Sequence, residues 1–228
     1  MKHSSLVITL VTASTLLLAG CWKSATPTPT TDTGAVVETG TNETGAVATG
    51  ATDTGAAVVV DRVVSLDSKA SNLEWFGKKV VGSHTGTVVI SSGTLGLANN
   101  LPVSGIFTID MTTITSNDGE KLVSHLKSED FFNVSGFNES TLKLLKITPD
   151  TAPNTYTVVA SLTIKGITNA ITFPAVIEVT DTQVTASAKI SIDRTKWEIK
   201  YGSASIFSDI GDKAIDDKIE YTVNVVLK

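Results

Sequence analysis

The sequence is poor in the residues that most often carry chemistry. A single cysteine among 228 residues excludes an internal disulfide and any zinc site built on cysteines. Of its three histidines, His3 lies at the extreme N-terminus. His84 and His125 show no i, i+2 or i, i+4 pairing that would mark a metal site. Charged residues make up 18% of the chain, below the roughly 25% usual for soluble domains, which argues against coiled coils and long charged helices. Eighteen basic residues face 23 acidic ones for a net charge of -5. No basic run occurs, so nothing resembles the cationic surface a nucleic-acid binder needs. There is no Gly-x-Ser-x-Gly elbow, phosphate loop, dinucleotide fingerprint or His-Glu-x-x-His helix. The sequence therefore names no catalytic residue, no cofactor and no metal.

What is present divides into three parts. Residues 1–20 combine a short basic start (Met1, Lys2, His3) with an apolar run over 6–18. That run is too short to span a bilayer stably and fits the core of a secretory signal. It closes on Leu18-Ala-Gly-Cys21, which resembles the bacterial lipobox, where the signal is cut before a cysteine that then receives a diacylglyceryl group. Lipidation of Cys21 is the expectation, with the product exported and lipid-anchored at the bacterial cell envelope, periplasmic or on the outer surface. Residues 21–57 hold the cysteine and a Thr/Gly/Ala-rich stretch that repeats Asp32-Thr-Gly-Ala-Val, Glu43-Thr-Gly-Ala-Val and Asp53-Thr-Gly-Ala-Ala. Such a stretch buries too little surface to offset its ordering entropy, and reads as a disordered tether. At about 36 residues its r.m.s. reach is roughly 30–36 Å.

Residues 58–228 carry the folding signal, and it has period two. Apolar residues recur at every second position in Val184, Ala186, Ala188, Ile190 and Ile192, with polar residues between them. The same alternation runs through Val158 to Ile164, Phe107 to Met111, Phe173 to Val179 and Tyr221 to Leu227. Strands with one wet face are expected there, and further ones near 62–67, 71–76, 80–91 and 140–148. Turn chemistry at Ser92-Gly93, Asn99-Asn100 and Pro153-Asn154 separates them. One helix is expected over 118–127, capped by Asn117 or Asp118, with Leu122, Val123 and Leu126 on one side. Eight to ten antiparallel strands, each with one apolar face, must close into a barrel or pair into a sandwich.

Few side chains stand out as functional candidates. His84 or His125 with Asp130 or Asp110 composes a hydrolase triad on paper; the alternative is two surface or hydrogen-bonding imidazoles. Asp216-Asp217 reads as solvated loop acids or, less directly, as a divalent-cation site. Arg194, flanked by Asp193, Lys196 and Trp197, either meets a polar head group or locks a barrel end through an ion pair. The apolar faces mix small residues (Ala160, Ala175, Ala186, Ala188) with larger ones (Phe107, Ile109, Met111, Leu162, Phe173). That mix fits an open apolar tunnel lined by these nine, and equally a filled core.

Six strings in order resemble the YceI-like family, bacterial polyisoprenoid-binding proteins with a lipocalin-like barrel. They are Trp75-Phe-Gly-Lys-Lys-Val-Val-Gly-Ser-His-Thr-Gly-Thr-Val, Gly105-Ile-Phe-Thr-Ile-Asp-Met-Thr-Thr-Ile, His125-Leu-Lys-Ser-Glu-Asp-Phe-Phe-Asn-Val, Leu162-Thr-Ile-Lys-Gly-Ile-Thr-Asn-Ala-Ile-Thr-Phe-Pro, Asp193-Arg-Thr-Lys-Trp, and Tyr201-Gly-Ser followed by Asp216-Asp-Lys-Ile-Glu. The resemblance implies an all-β fold: an extended eight-stranded antiparallel lipocalin-like β-barrel with one short helix. It also implies a long isoprenoid tail (polyprenyl phosphate or isoprenoid quinone type) inside, carried or sequestered without catalysis. Head-group contact would fall to Arg194 and His125 at the barrel mouth. The expected partners are then an isoprenoid lipid and, through the anchor, a membrane, with a homodimer left open. Two other readings stand beside this one: a surface interaction lipoprotein with a filled barrel, and a hydrolase using His84 or His125.

Overall fold

The computed structural model describes residues 58–228; the signal over 1–20, Cys21 and the tether to residue 57 lie outside the described residues. Ten strands form: β1 (Arg62–Ser65), β2 (Asn72–Lys79), β3 (Ser83–Thr87), β4 (Val89–Ala98), β5 (Leu101–Asp110), β6 (Glu139–Pro149), β7 (Thr155–Ile164), β8 (Ile167–Val179), β9 (Val184–Asp193) and β10 (Ile215–Leu227). The helix α1 (Glu120–Lys127) lies between β5 and β6. Burial follows the sequence alternation. On β7 the side chains of Tyr156, Val158, Ala160, Leu162 and Ile164 are buried while Thr157 is exposed. Two hairpins turn on consecutive left-handed residues, Asn99-Asn100 (φ 51° and 61°) and Lys165-Gly166 (φ 51° and 72°). Such turns match the right-handed twist of the strands they join.

The strands hydrogen-bond in the order β1-β4-β5-β6-β7-β8-β9-β10-β2-β3, every pairing antiparallel. A sheet this curled brings its two margins together. At one end β1, already paired with β4, meets the last residues of β10: Ser65 N–H donates to the Lys228 carbonyl at 2.7 Å, Lys228 N–H to Ser65 at 2.9 Å, and Asp67 N–H to Val226 at 2.8 Å. The Lys228 ammonium donates to the Asp67 carboxylate at 2.8 Å, and that bond, with the Ala70 N–H, holds the Asp67 carboxyl below its ordinary value. Arg62 adds a strap from β1 to the carbonyls of Thr180 and Asp181 in the β8–β9 turn. At the other end the β2–β3 hairpin fills the gap between β10 and β4, with Val88 N–H donating to the Leu73 carbonyl. The first end is shut by short turns. The second carries α1 and the long connections of residues 111–138 and 194–214.

The fold is the expected all-β barrel with one helix, but its strands number ten rather than eight, and the local reasons are visible. The stretch 80–91 contains a turn: Lys79 N–H donates to the Gly82 carbonyl, and Gly82 takes φ 93°. Val88 then separates β3 from β4. Ser92-Gly93, expected as a turn, sits inside β4 beside a register shift between Ile90 and Ser92. There the ring of Phe107 occupies the space a side chain at 93 would need. Neither expected helix cap is used. α1 starts after Gly119 (φ 91°) with no side-chain cap, because Asn117 donates to the Thr85 hydroxyl and the Asp118 carboxylate bonds His84, both on β3.

The β3 closure generates a stability prediction. A methyl group on Gly86 would overlap the Thr115 carbonyl and the Trp75 indole, which are themselves hydrogen-bonded at 3.0 Å. Gly86→Ala is expected to lower the unfolding free energy by about 1–3 kcal/mol, the usual cost of overpacking. Urea denaturation reads this, and an unshifted midpoint would show that β3 does not close against Trp75.

Candidate functional site

The inward faces do not fill the barrel. They enclose a cavity of about 630 Å³, within the 300–1,000 Å³ range of ligand sites. Of the nine residues expected to line a tunnel, Phe107, Ile109, Met111, Leu162, Phe173, Ala175, Ala186 and Ala188 do so. Ala160 is fully buried but does not line the cavity; its methyl reaches less far into the lumen than Val158 and Leu162 on the same face of β7, which do. Met111 arrives from a 3₁₀ turn (Met111–Thr113) just past the end of β5, not from the strand itself.

The wall changes character along the barrel axis. Toward the shut end it is apolar, with Leu73, Leu95, Ile177, Val225 and Leu227. Toward the open end the lining takes in Lys78, Lys79, His84, His125, Tyr201, Asp212 and Lys213 beside Val81 and Leu122. Between them, Tyr221 on β10 and Ser140 on β6 are hydroxyl-bearing residues in an otherwise oily wall. Burial pushes the Tyr221 phenol above its ordinary value, so it stays a neutral donor.

Arg194 occupies the start of the 3₁₀ turn Arg194–Trp197 and is almost wholly buried. Its Nε donates to the Asp216 carbonyl at 3.1 Å; Nη1 donates to the carbonyls of Ile199 and Tyr201 at 2.7 and 2.9 Å; Nη2 donates to the Ile215 carbonyl at 3.1 Å and the Asp217 carboxylate at 3.4 Å. A guanidinium has five N–H donors, and all five are engaged by the protein. Of the two roles expected for Arg194, the geometry leaves the lock and removes the head-group contact. Burial lowers its affinity for a proton, offset by Asp217, Asp193 and Asp216.

The neighbouring acids are engaged too. Asp217 also accepts from Ser205 at 2.5 Å, and Asp216 caps the Lys218 N–H at 2.9 Å. Among the described residues no group of His, Cys, Asp and Glu is placed to hold a metal ion.

Each cavity-lining histidine has a carboxylate partner that sequence distance concealed: His84 Nδ1 with Asp118 at 2.8 Å and His125 Nε2 with Asp130 at 3.1 Å. The second pairing is one of those written for a triad. Among the described residues neither imidazole meets a serine or threonine hydroxyl; the Ser128 hydroxyl beside His125 donates to its carbonyl instead. The His125 ring packs edge-on against Phe131 and Tyr201 at 4.9 and 4.7 Å between centroids, which fixes it at the open end as part of an aromatic rim. Sequence reasoning passed over Lys78, Lys79 and Lys213. The signal was there in the period-two pattern of β2, which puts residue 79 on the same side as Trp75.

Comparison with known proteins agrees with this architecture. The YceI-like domain matches residues 65–227. Among solved structures the chain is similar to BcnA from Burkholderia cenocepacia, at 20% identity and a TM-score of 0.58, covering 71% of this chain and 98% of that one. It is similar also to a polyisoprenoid binding domain from Saccharophagus degradans implicated in plant cell wall breakdown, at 14% identity and a TM-score of 0.53, covering 72% and 97%. At these identities the likeness speaks for the fold. No curated protein matches.

The Arg194 network makes a graded prediction. Arg194→Met leaves Asp217 without its cation and four carbonyls without a donor, and is expected to cost about 3–5 kcal/mol of stability, as breaking a buried pair from one side does. Arg194→Lys, with three donors instead of five, should fall between this variant and the parent in thermal unfolding. A Met variant as stable as the parent would refute the locking role.

Proposed function

The chain belongs to the YceI-like domain family, and from that premise we propose that it binds, carries or sequesters a long-chain isoprenoid lipid inside the barrel, without catalysis, at a bacterial membrane surface. The observation that carries the reading is the cavity: an apolar lumen of about 630 Å³, shut at one end and open at the other. A slender branched hydrocarbon enters such a space tail first. Against water, burial of the tail gains about 0.8 kcal/mol per methylene-sized group; over a long tail that would exceed any observed affinity. The real competitor is the bilayer, which solvates the tail about as well as the lumen does. Loading and unloading are then close to balanced, which suits a carrier.

The domain division follows from the sequence as part of the same proposal. Residues 1–20 are removed as a signal, Cys21 takes the lipid, residues 22–57 serve as a tether, and 58–228 form the binding domain. An anchored carrier stays beside the lipid phase it draws from. The similar fold of the polyisoprenoid binding domain of Saccharophagus degradans supports the ligand class. A surface interaction lipoprotein with a filled barrel fits less well, because the lumen is not filled. A hydrolase at His84 or His125 fits less well, because neither His–Asp pair meets a nucleophile among the described residues.

Purification of the full chain in its native membrane background, followed by extraction and mass spectrometry, is expected to recover an isoprenoid lipid in near one-to-one amount. Protein that emerges empty and also refuses added prenyl lipid would sink the carrier reading. In the same assay Ala188→Phe, which sets a large ring into the lumen opposite Ala175, should cut binding at least about tenfold, or about 1.4 kcal/mol. Its circular dichroism should stay that of a β-barrel.

A further inference from the structure

The lumen has a direction, and its polar end has a sign. The shut end offers a ligand only aliphatic contacts, from Leu73, Leu95, Ile177, Val225 and Leu227. A head group left there would be a buried polar group without a partner, which costs free energy. A tail-first ligand therefore leaves its head at the open end. The charges that line that end are unequal. Lys78 and Lys79 finish β2, and Lys213 lies beside them, because Val80 N–H donates to the Ala214 carbonyl at 3.0 Å. Asp212 is the one carboxylate in the cavity lining. Asp118 and Asp130 stand behind the lining histidines and are bonded to them, and Asp217 is held by Arg194 and Ser205. Among the described residues none of the three lysines takes part in an ion pair. Three ammonium groups against one free carboxylate make the mouth cationic on a domain that is acidic as a whole. Low-dielectric walls focus such a field toward the opening.

We propose that Lys78, Lys79 and Lys213 form a head-group site at the mouth that selects anionic isoprenoids, of the prenyl phosphate class, over neutral ones such as prenols and quinones. This rests on the tail-binding reading above and deepens it. Lysine is suited to the task as a mobile point charge on a long stem, able to follow a phosphate that sits at slightly different depths as tails of different length fill the lumen. No bidentate fork is needed, and the one arginine in the lining is already engaged. The Tyr221 hydroxyl, deeper in the lumen, offers a single donor and no charge, so it does not compete for the head.

The test uses the full chain and two ligands of equal length, decaprenyl phosphate and decaprenol, presented in the same neutral detergent. The phosphate is expected to bind about tenfold tighter, since three partly exposed pairs at up to about 1 kcal/mol each exceed a factor of ten. Raising salt to about 1 M, where screening acts within about 3 Å, should erase most of that advantage. Lys78→Gln, Lys79→Gln and Lys213→Gln combined should remove it while leaving decaprenol affinity within about twofold and the melting temperature unchanged. Equal binding of both ligands, with no effect of the triple variant, overturns the head-group assignment and leaves the tail-binding reading intact. Failure of both ligands to bind overturns the two together. Inorganic phosphate binding as tightly as decaprenyl phosphate would mean a free-anion site, also against the proposal. So would a triple variant that keeps its ligand preference but no longer sediments with vesicles containing phosphatidylglycerol, because the lysines would then serve the membrane surface.

Discussion

The wall of this barrel is held apart by its own backbone. Each strand hydrogen-bonds to a neighbour on both sides, and at the shut end the ring is completed when β1 bonds at once to β4 and to the last residues of β10. Unpaired strand edges are costly to leave and hard to bury. Once the ring is closed, its circumference is set by strand number rather than by side-chain volume. Small residues on the inner face then cannot draw the walls inward. Ala175 and Ala188, opposite one another on β8 and β9, leave space that a helical bundle would collapse to fill. The cavity is thus a consequence of closure plus local smallness, and it tolerates an apolar guest because nothing in it demands a hydrogen bond except Tyr221 and Ser140.

Closure at the open end is a different problem, solved with polar groups. The long connection between β9 and β10 runs over 194–214, and a loop of that length brings carbonyls into the interior that the sheet cannot satisfy. Arg194 satisfies four of them and neutralises Asp217 at the same time. A single buried cation so placed gives the loop one geometry. That rigidity keeps the mouth from folding over the lumen, and it explains why the arginine is unavailable for the ligand that its position seemed to invite. Trp197, in the same turn, anchors the other side by donating to the Leu162 carbonyl at 3.1 Å.

The parts legible in the sequence were those governed by local periodicity. Inner and outer faces of β5, β7, β8, β9 and β10 follow from alternation, and eight of the nine lining residues follow with them. What was not legible depended on contacts between distant segments. Asn117 and Asp118 have the chemistry of helix caps, yet β3 takes both side chains, and no local rule anticipates a bond from residue 118 to residue 84. Ser92-Gly93 has turn chemistry, but Gly93 is needed where the Phe107 ring of the next strand lies against β4. Arg194 could be singled out from its neighbours; which of two roles it fills depends on carbonyls at 199, 201, 215 and 216. The lysines at the mouth escaped notice because charge at a strand end usually means solvent, and only the closed ring shows that these ends surround an opening.

The two ends of the barrel also bear on how an anchored carrier would work. β1 begins at Arg62, opposite Leu97, so the polypeptide enters the domain at the shut end, and the mouth faces the other way. Strands of 13 residues such as β8 run roughly 43 Å at about 3.3 Å per residue, and a tilt of about 35–45° reduces this to roughly 30–35 Å along the axis. If Cys21 is the anchor, a short linker would hold the mouth away from the lipid it is proposed to serve. A linker of about 36 residues has an r.m.s. reach of roughly 30–36 Å and a contour above roughly 110 Å. The first figure equals the barrel's own length and the second exceeds it about threefold. The spacer is therefore long enough for the domain to turn its mouth to the membrane without strain on the anchor, and its length is accounted for by where the chain enters the fold.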